Sequence, residues 1–238
     1  MIKALRNAFG FLTIIPVGMD FDTEDVAKSA WLFPLVGGFL GLTAALIYEL
    51  LGHLFSDPVS AGIALFALLV LTGFHHLDGL LDFGDGLMRV GSAKERRSAM
   101  KDVNTGVGGF AFGFFVLLIT YAAITENTTI FISLIAAEAS AKFAMVLGAF
   151  VGKPSHEGMG SIFTKIVDTR LLLLALIVYI PFLAILPIEM GLLAFAMAVA
   201  STLIITFISL KLFKGVPGDV LGAINEITRM GVLVVLLV

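Results

Sequence analysis

The stretch His75-His-Leu-Asp-Gly-Leu-Leu-Asp-Phe-Gly-Asp-Gly-Leu-Met-Arg89 follows directly on a long apolar run and sets three carboxylates beside membrane-spanning sequence. An unpaired charge inside a bilayer costs at least about 2.5 kcal/mol. If the stretch is helical, His75, Asp78, Asp82, Asp85 and Arg89 recur at spacings of three and four and share one stripe. Acids on one stripe repel each other unless a cation lies among them. Clustered oxygen ligands at a membrane surface suit Mg²⁺, with Mn²⁺ as its substitute, and such an ion commonly holds a diphosphate. Asp78, Asp82 and Asp85 are therefore the candidate metal ligands. The plain alternative is a solvated juxtamembrane helix neutralised by His75 and Arg89, but Gly79, Gly84 and Gly86 would each weaken such a helix by about 1 kcal/mol.

Outside this stretch the chain is mostly apolar. Of its 238 residues 59% are hydrophobic and 14% charged, and its mean hydropathy is +1.05. Soluble domains carry about 25% charged residues, so the composition predicts an all-α, polytopic membrane bundle. Apolar segments near 31–52, 59–76, 107–125, 128–151, 170–187 and 189–210, with a shorter one at 220–238, give six to seven transmembrane helices. One catalytic domain over 1–238 follows, with 1–28 as an amphipathic, interfacial segment and 77–106 as a cytoplasmic active-site loop. The N-terminal apolar stretch is too short for a signal peptide and is expected to be retained. With no Cys there are no disulfides, thiolate metal sites or cysteine nucleophiles.

The basic residues alternate between connections. Those near 53–58, 126–128 and 187–189 contain no Lys or Arg. The opposite connections hold Lys3, Arg6 and Lys28, then Arg89 to Lys101, Lys153, Lys165 and Arg170, then Lys211 and Lys214. Lys142 falls inside a span, and the pattern holds if Arg229 sits near the start of the last helix. By the positive-inside rule the basic side is cytoplasmic, which predicts a multi-pass protein of the cell membrane with its acidic stripe on the inner side.

Other polar elements add to this side. Lys101 and Asp102 precede a glycine-rich run at 106–109, where lysine and arginine, Arg97 included, could grip phosphate while backbone amides at the helix start receive an oxyanion. Arg96 and Arg97 could equally be a topogenic patch on anionic lipid. Glu138 and Lys142 are spaced for an ion pair inside a span. The turn at 153–161, with Pro154 and His156, could serve as a lid. Asp219 and Glu226 are seven apart, on one face with Gly222 and Ala223 between them, although Asp219 after Pro217-Gly218 could simply cap a helix. Asp20, Asp22, Glu24 and Asp25 read as a solvated turn and helix start. The glycines at 37, 38 and 41 read as close helix packing.

An ordered set of motifs resembles the adenosylcobinamide-GDP ribazoletransferase family, the membrane cobalamin (5′-phosphate) synthases. It comprises Thr13-Ile-Ile-Pro16, Phe33-Pro-Leu-Val-Gly-Gly38, His76-Leu-Asp-Gly-Leu-Leu-Asp82-Phe-Gly-Asp-Gly86, Met100-Lys-Asp102 with Gly106 and Gly109, Glu157-Gly-Met-Gly160, and Gly218-Asp-Val-Leu-Gly-Ala223. The chain departs from the family pattern at 81, at 83–84, at Val103-Asn-Thr105, where an arginine is usual, and at Pro217. The resemblance implies attack by a ribose hydroxyl of α-ribazole, or its 5′-phosphate, on the cobinamide-proximal phosphate of adenosylcobinamide-GDP, with GMP leaving. It assigns Asp82, Asp85 and Asp102 to catalysis, Asp78, Asp82 and Asp85 to Mg²⁺, and His76, Lys101, Arg97, Asp219 and Glu226 to substrate. It implies a lipid bilayer and no nucleic acid as surroundings, and leaves open a homo-oligomer.

Two other readings compete. A CDP-alcohol phosphotransferase is suggested by Asp82-x-x-Asp85-Gly86 and Arg89, but the rest of that motif does not follow. A transporter would place coupling-ion acids near the bilayer midplane, whereas most acids here fall at span ends, and no internal repeat is visible.

Overall fold

The computed structural model describes residues 1–18, 22–155 and 158–238. Asp20, His156 and Glu157, each singled out in the sequence, lie outside the described residues. The chain opens with α1 (Ile2–Leu12), α2 (Thr23–Lys28) and a 3-10 turn (Ala30–Leu32), continues through α3 (Phe33–Gly52), α4 (Asp57–Leu71), α5 (His75–Met88) and α6 (Ala93–Ala99), and then α7 (Val107–Glu126) and α8 (Ile130–Val151). It closes with α9 (Met159–Ile166), α10 (Thr169–Ala184), α11 (Ile188–Leu212) and α12 (Gly218–Val235). This is an all-α polytopic membrane bundle. Four helices are long and apolar enough to cross a bilayer, Ala30–Gly52, Val107–Glu126, Ile130–Val151 and Ile188–Leu212, and up to six spans result if each of two bent pairs counts as one.

Those bends correct the sequence reading. The apolar run through 59–76 breaks at Gly73 and Phe74, both left-handed with φ of 60° and 59°, and α5 leaves α4 at 92°. A second bend of 93° separates α9 from α10. The region 77–106, expected as a loop, is largely helical: α5 runs to Met88, and Ser92 and Glu95 form a capping box that starts α6.

Close approach organises the middle of the bundle. A side chain on Gly37 would collide with the Glu138 carbonyl oxygen, and one on Gly41 with the Leu134 oxygen, so α3 and α8 pack backbone to backbone. The packing expected for the first glycine cluster is therefore present. Hydroxyl pairs fasten further helices, Ser140 to Tyr179 at 2.6 Å between α8 and α10 and Ser201 to Thr228 at 2.7 Å between α11 and α12.

Helix α12 is central, packed by α5, α7, α8 and α11. Arg229, expected near its start, lies eleven residues beyond Gly218, about 16 Å along the helix. It is fully buried and pairs with Glu138 and Glu226. Lys142 completes the group, reaching Glu138 at 3.2 Å and the Asn225 side-chain oxygen at 2.7 Å. Two acids and two bases thus balance inside the bundle, and the expected Glu138–Lys142 pair is one edge of a larger network.

Candidate active site

Helix α5 carries the acidic stripe and is held by two neighbours. On one side it crosses α12, where a side chain on Gly79 would meet the Asp219 carbonyl oxygen at 2.8 Å and one on Gly222 the His76 oxygen at 3.0 Å. Only glycine permits this approach, and it brings Asp219 beside the stripe. On the other side α5 meets the start of α7. Asp85 accepts the amide N–H groups of Gly106 and Gly109, each at 2.7 Å. The amides expected to receive a substrate oxyanion are thus engaged by the chain's own carboxylate, because α5 lies close enough along α7 for Asp85 to act as its remote N-terminal cap.

The acids therefore divide. Asp82 has Asp219 as its foremost charged neighbour, ahead of Asp78 and then Asp85. Asp219 in turn feels Asp78 and the compensating charge of Lys101. Among the described residues no group of three His, Asp or Glu side chains converges to hold a metal ion. That corrects the expectation of a three-carboxylate cage built from Asp78, Asp82 and Asp85, since Asp85 is turned to α7. The acids that line the cavities at this end of the bundle are Asp78, Asp82 and Asp219.

Three cavities meet at Asp219. The first, of about 380 Å³, is walled mostly by apolar side chains, among them Phe11, Phe33 and Phe163, and reaches Asp78 and His76. The second, about 260 Å³, is basic, lined by Lys94, Arg97 and Lys101. Between them a third, about 380 Å³, holds Asp82, Lys101, Ser155 and Asp219. The floor of this middle cavity is built where two connections join: Val216 N–H donates to the Lys153 oxygen at 2.9 Å, and Pro154 bridges Val216.

The basic side chains also divide. Arg96 donates to the carbonyls of Gly86 and Leu87 at 3.1 and 2.9 Å, closing the C-terminus of α5. Arg97 donates to the Phe213 oxygen at 2.7 Å while lining the basic cavity, so it ties α6 to the segment before α12. Lys101 is exposed and lines both the basic and the middle cavity. Asp102 lines none of these three cavities. The backbone and side-chain amides of Asn104 hold its carboxyl below the usual carboxylate range, which makes it a poor proton acceptor.

Two expected site residues separate from each other. His76, 5% exposed, lines the apolar cavity. Glu226 does not reach any of the three cavities. Seven residues of helix place it about 10 Å deeper than Asp219, where it is 1% exposed and paired with Arg229. Ser155 was marked only as part of the 153–161 turn and Phe33 only as part of a motif, and no cavity wall was foreseen, because Phe11, Phe33 and Phe163 come from three separate helices, α1, α3 and α9, with no shared spacing.

Comparison with known proteins gives one consistent answer. The family model described as cobalamin-5-phosphate synthase matches residues 4–237. An adenosylcobinamide-GDP ribazoletransferase of Methanococcoides burtonii is 34% identical over 255 residues, covering 100% of this chain and 92% of the relative. That of Methanocella arvoryzae is 37% identical over 253 residues, covering 98% and 94%, and that of Pyrococcus abyssi 34% over 234 residues, covering 98% and 97%. No solved structure matches.

Proposed function

The chain belongs to the cobalamin-5-phosphate synthase family, and from that premise we propose that it is a transferase joining adenosylcobinamide-GDP to α-ribazole, or to its 5′-phosphate, with release of GMP. The observation that carries the reading is the meeting of an apolar, an acidic and a basic cavity at Asp219. Two substrates approach from opposite sides and react in the middle.

In the reaction a ribose oxygen forms a bond to the cobinamide-proximal phosphorus, the bond from that phosphorus to the GMP oxygen breaks, and the hydroxyl proton passes to a base. Such displacements need positioning and charge compensation more than covalent chemistry from the protein. Lys101 contacts the diphosphate, and Lys94 and Arg97 favour the leaving nucleotide. Asp82, crowded by Asp219 and Asp78, takes the proton on its carboxylate. Asp85 positions α5 from behind.

The crowding of acids around Asp82, with Lys101 as compensation, fits a divalent cation. Mg²⁺, or Mn²⁺, would be held by one or two of Asp78, Asp82 and Asp219, the usual number of carboxylates for Mg²⁺ when phosphate and water complete its shell. Bound there, it would neutralise the diphosphate. The same end of the bundle carries Lys94, Arg96, Arg97, Lys101, Lys153 and Lys214, which supports a cytoplasmic site in the cell membrane.

The test is direct. Purified protein in detergent, given adenosylcobinamide-GDP, α-ribazole and Mg²⁺, should release one GMP per cobalamin formed. Corrinoid flux into proteoliposomes without GMP formation would overturn the assignment in favour of a transporter.

A further inference from the structure

We propose that the apolar cavity beside Asp78 seats the aromatic base of the incoming nucleoside, and that Phe11, Phe33, Phe163, Met145 and Leu221 decide which base is accepted. The proposal rests on the transferase reading and adds a base subsite to it.

The cavity, at about 380 Å³, lies within the ordinary span of small-molecule sites, about 300–1,000 Å³. Its wall is aromatic by construction. Phe11 stacks on Phe33 with centroids 5.8 Å apart, and Phe163 packs on both, at 5.3 Å from Phe11 and 5.9 Å from Phe33. Met145 and Met159 add thioethers, which pack well against ring edges. A neutral bicyclic ring such as benzimidazole gains stacking and burial here. Guanine would leave its donors and acceptors unpaired against the same wall, at a cost of a few kcal/mol (about 1–3 on protein scales). The basic cavity, lined by Lys94, Arg97 and Lys101, suits the phosphate-bearing guanosine end instead.

A second observation points to the same occupant. His76 is buried to 5% exposure in this wall, and its Nδ1 makes no hydrogen bond among the described residues. The ring can turn by 180°, which exchanges Nδ1 with Cδ2 and Nε2 with Cε1, and its proton can sit on either nitrogen, so an imidazole N–H can face the chamber. A benzimidazole riboside offers one acceptor nitrogen on its ring, matching this one donor. The position of the chamber also suits the chemistry. It shares Met159, Gly160, Gly218 and Asp219 with the middle cavity that holds Asp82. A base seated among the phenylalanines therefore places its ribose at the acids.

Equilibrium dialysis of the detergent-solubilised protein with 5,6-dimethylbenzimidazole and with GMP tests the assignment. The base should bind saturably and GMP should not displace it. Met145→Trp, which fills the chamber, should weaken the base at least tenfold and change GMP affinity less than twofold. Leu221→Phe, a smaller intrusion from another helix, should act in the same direction, and in turnover each variant should raise KM for α-ribazole rather than for adenosylcobinamide-GDP. Displacement of the base by GMP, or uptake that is non-saturable and equal in both variants, as expected of an apolar recess that takes up detergent or lipid, would overturn the proposal. GMP release by the unaltered protein reports on the transferase reading separately: saturable base binding without turnover would sink that reading alone, and turnover without base binding would sink the subsite alone.

Discussion

The carboxylate of Asp85 accepts the amide N–H of Gly109 at 2.7 Å and so fastens α5 to the first turn of α7. Its other oxygen takes the Gly106 amide at the same distance. Asn in place of Asp85 can accept one of these bonds but turns an NH₂ toward the other donor. An unsatisfied amide costs about 1–3 kcal/mol, so Asp85→Asn should lower thermal stability in detergent by several degrees. An unchanged melting temperature would show that the two amides have another acceptor.

Asp82→Asn should behave in the opposite way. It removes one of several mutually repelling charges, so the fold should survive with its melting temperature unchanged or raised, while GMP release falls at least a hundredfold. Near-normal turnover would remove Asp82 from the reaction.

Metal removal gives a third expectation. With one or two carboxylates and the diphosphate as ligands, Mg²⁺ should bind weakly without substrate and more tightly with adenosylcobinamide-GDP present. Chelation should stop GMP release and Mg²⁺ or Mn²⁺ should restore it, with Asp219→Asn raising the Mg²⁺ concentration needed. Full activity in excess chelator would exclude the metal.

The four long spans, the packing face of Gly37 and Gly41 and the Glu138–Lys142 pair were legible, because each depends on residues close in sequence or on hydropathy alone. The bend at Gly73-Phe74 was hidden by apolar residues on both sides, which carry hydropathy through a break in the helix. Asp85 was misread because spacing along α5 says nothing of α7, whose amides reach it across 24 positions. Arg229 was assigned to the membrane edge by its charge, but its partner Glu138 is 91 residues away and invisible to any local pattern. Asp82, Lys101 and Asp219 were recognisable as site candidates individually. Their shared cavity depends on Gly79 and Gly222, which read beforehand only as helix weakeners or small spacers.

Glu226 provides the sharpest separation between face periodicity and depth. Periodicity puts it with Asp219, whereas the structure pairs it with Arg229 in a group of two acids and two bases closed to solvent. Removing one member of a buried ion pair leaves its partner uncompensated and costs about 3–5 kcal/mol. Glu226→Gln should therefore lower the yield of folded protein and the melting temperature. The fraction that folds should keep its KM for both substrates, because the cavities at Asp219 do not include position 226. The two roles predict different numbers from one preparation: a substrate contact raises KM at unchanged stability, and a network member lowers stability at unchanged KM. A stable Glu226→Gln protein with a raised KM would return this residue to the substrate face and require α12 to sit about two turns differently in the bundle.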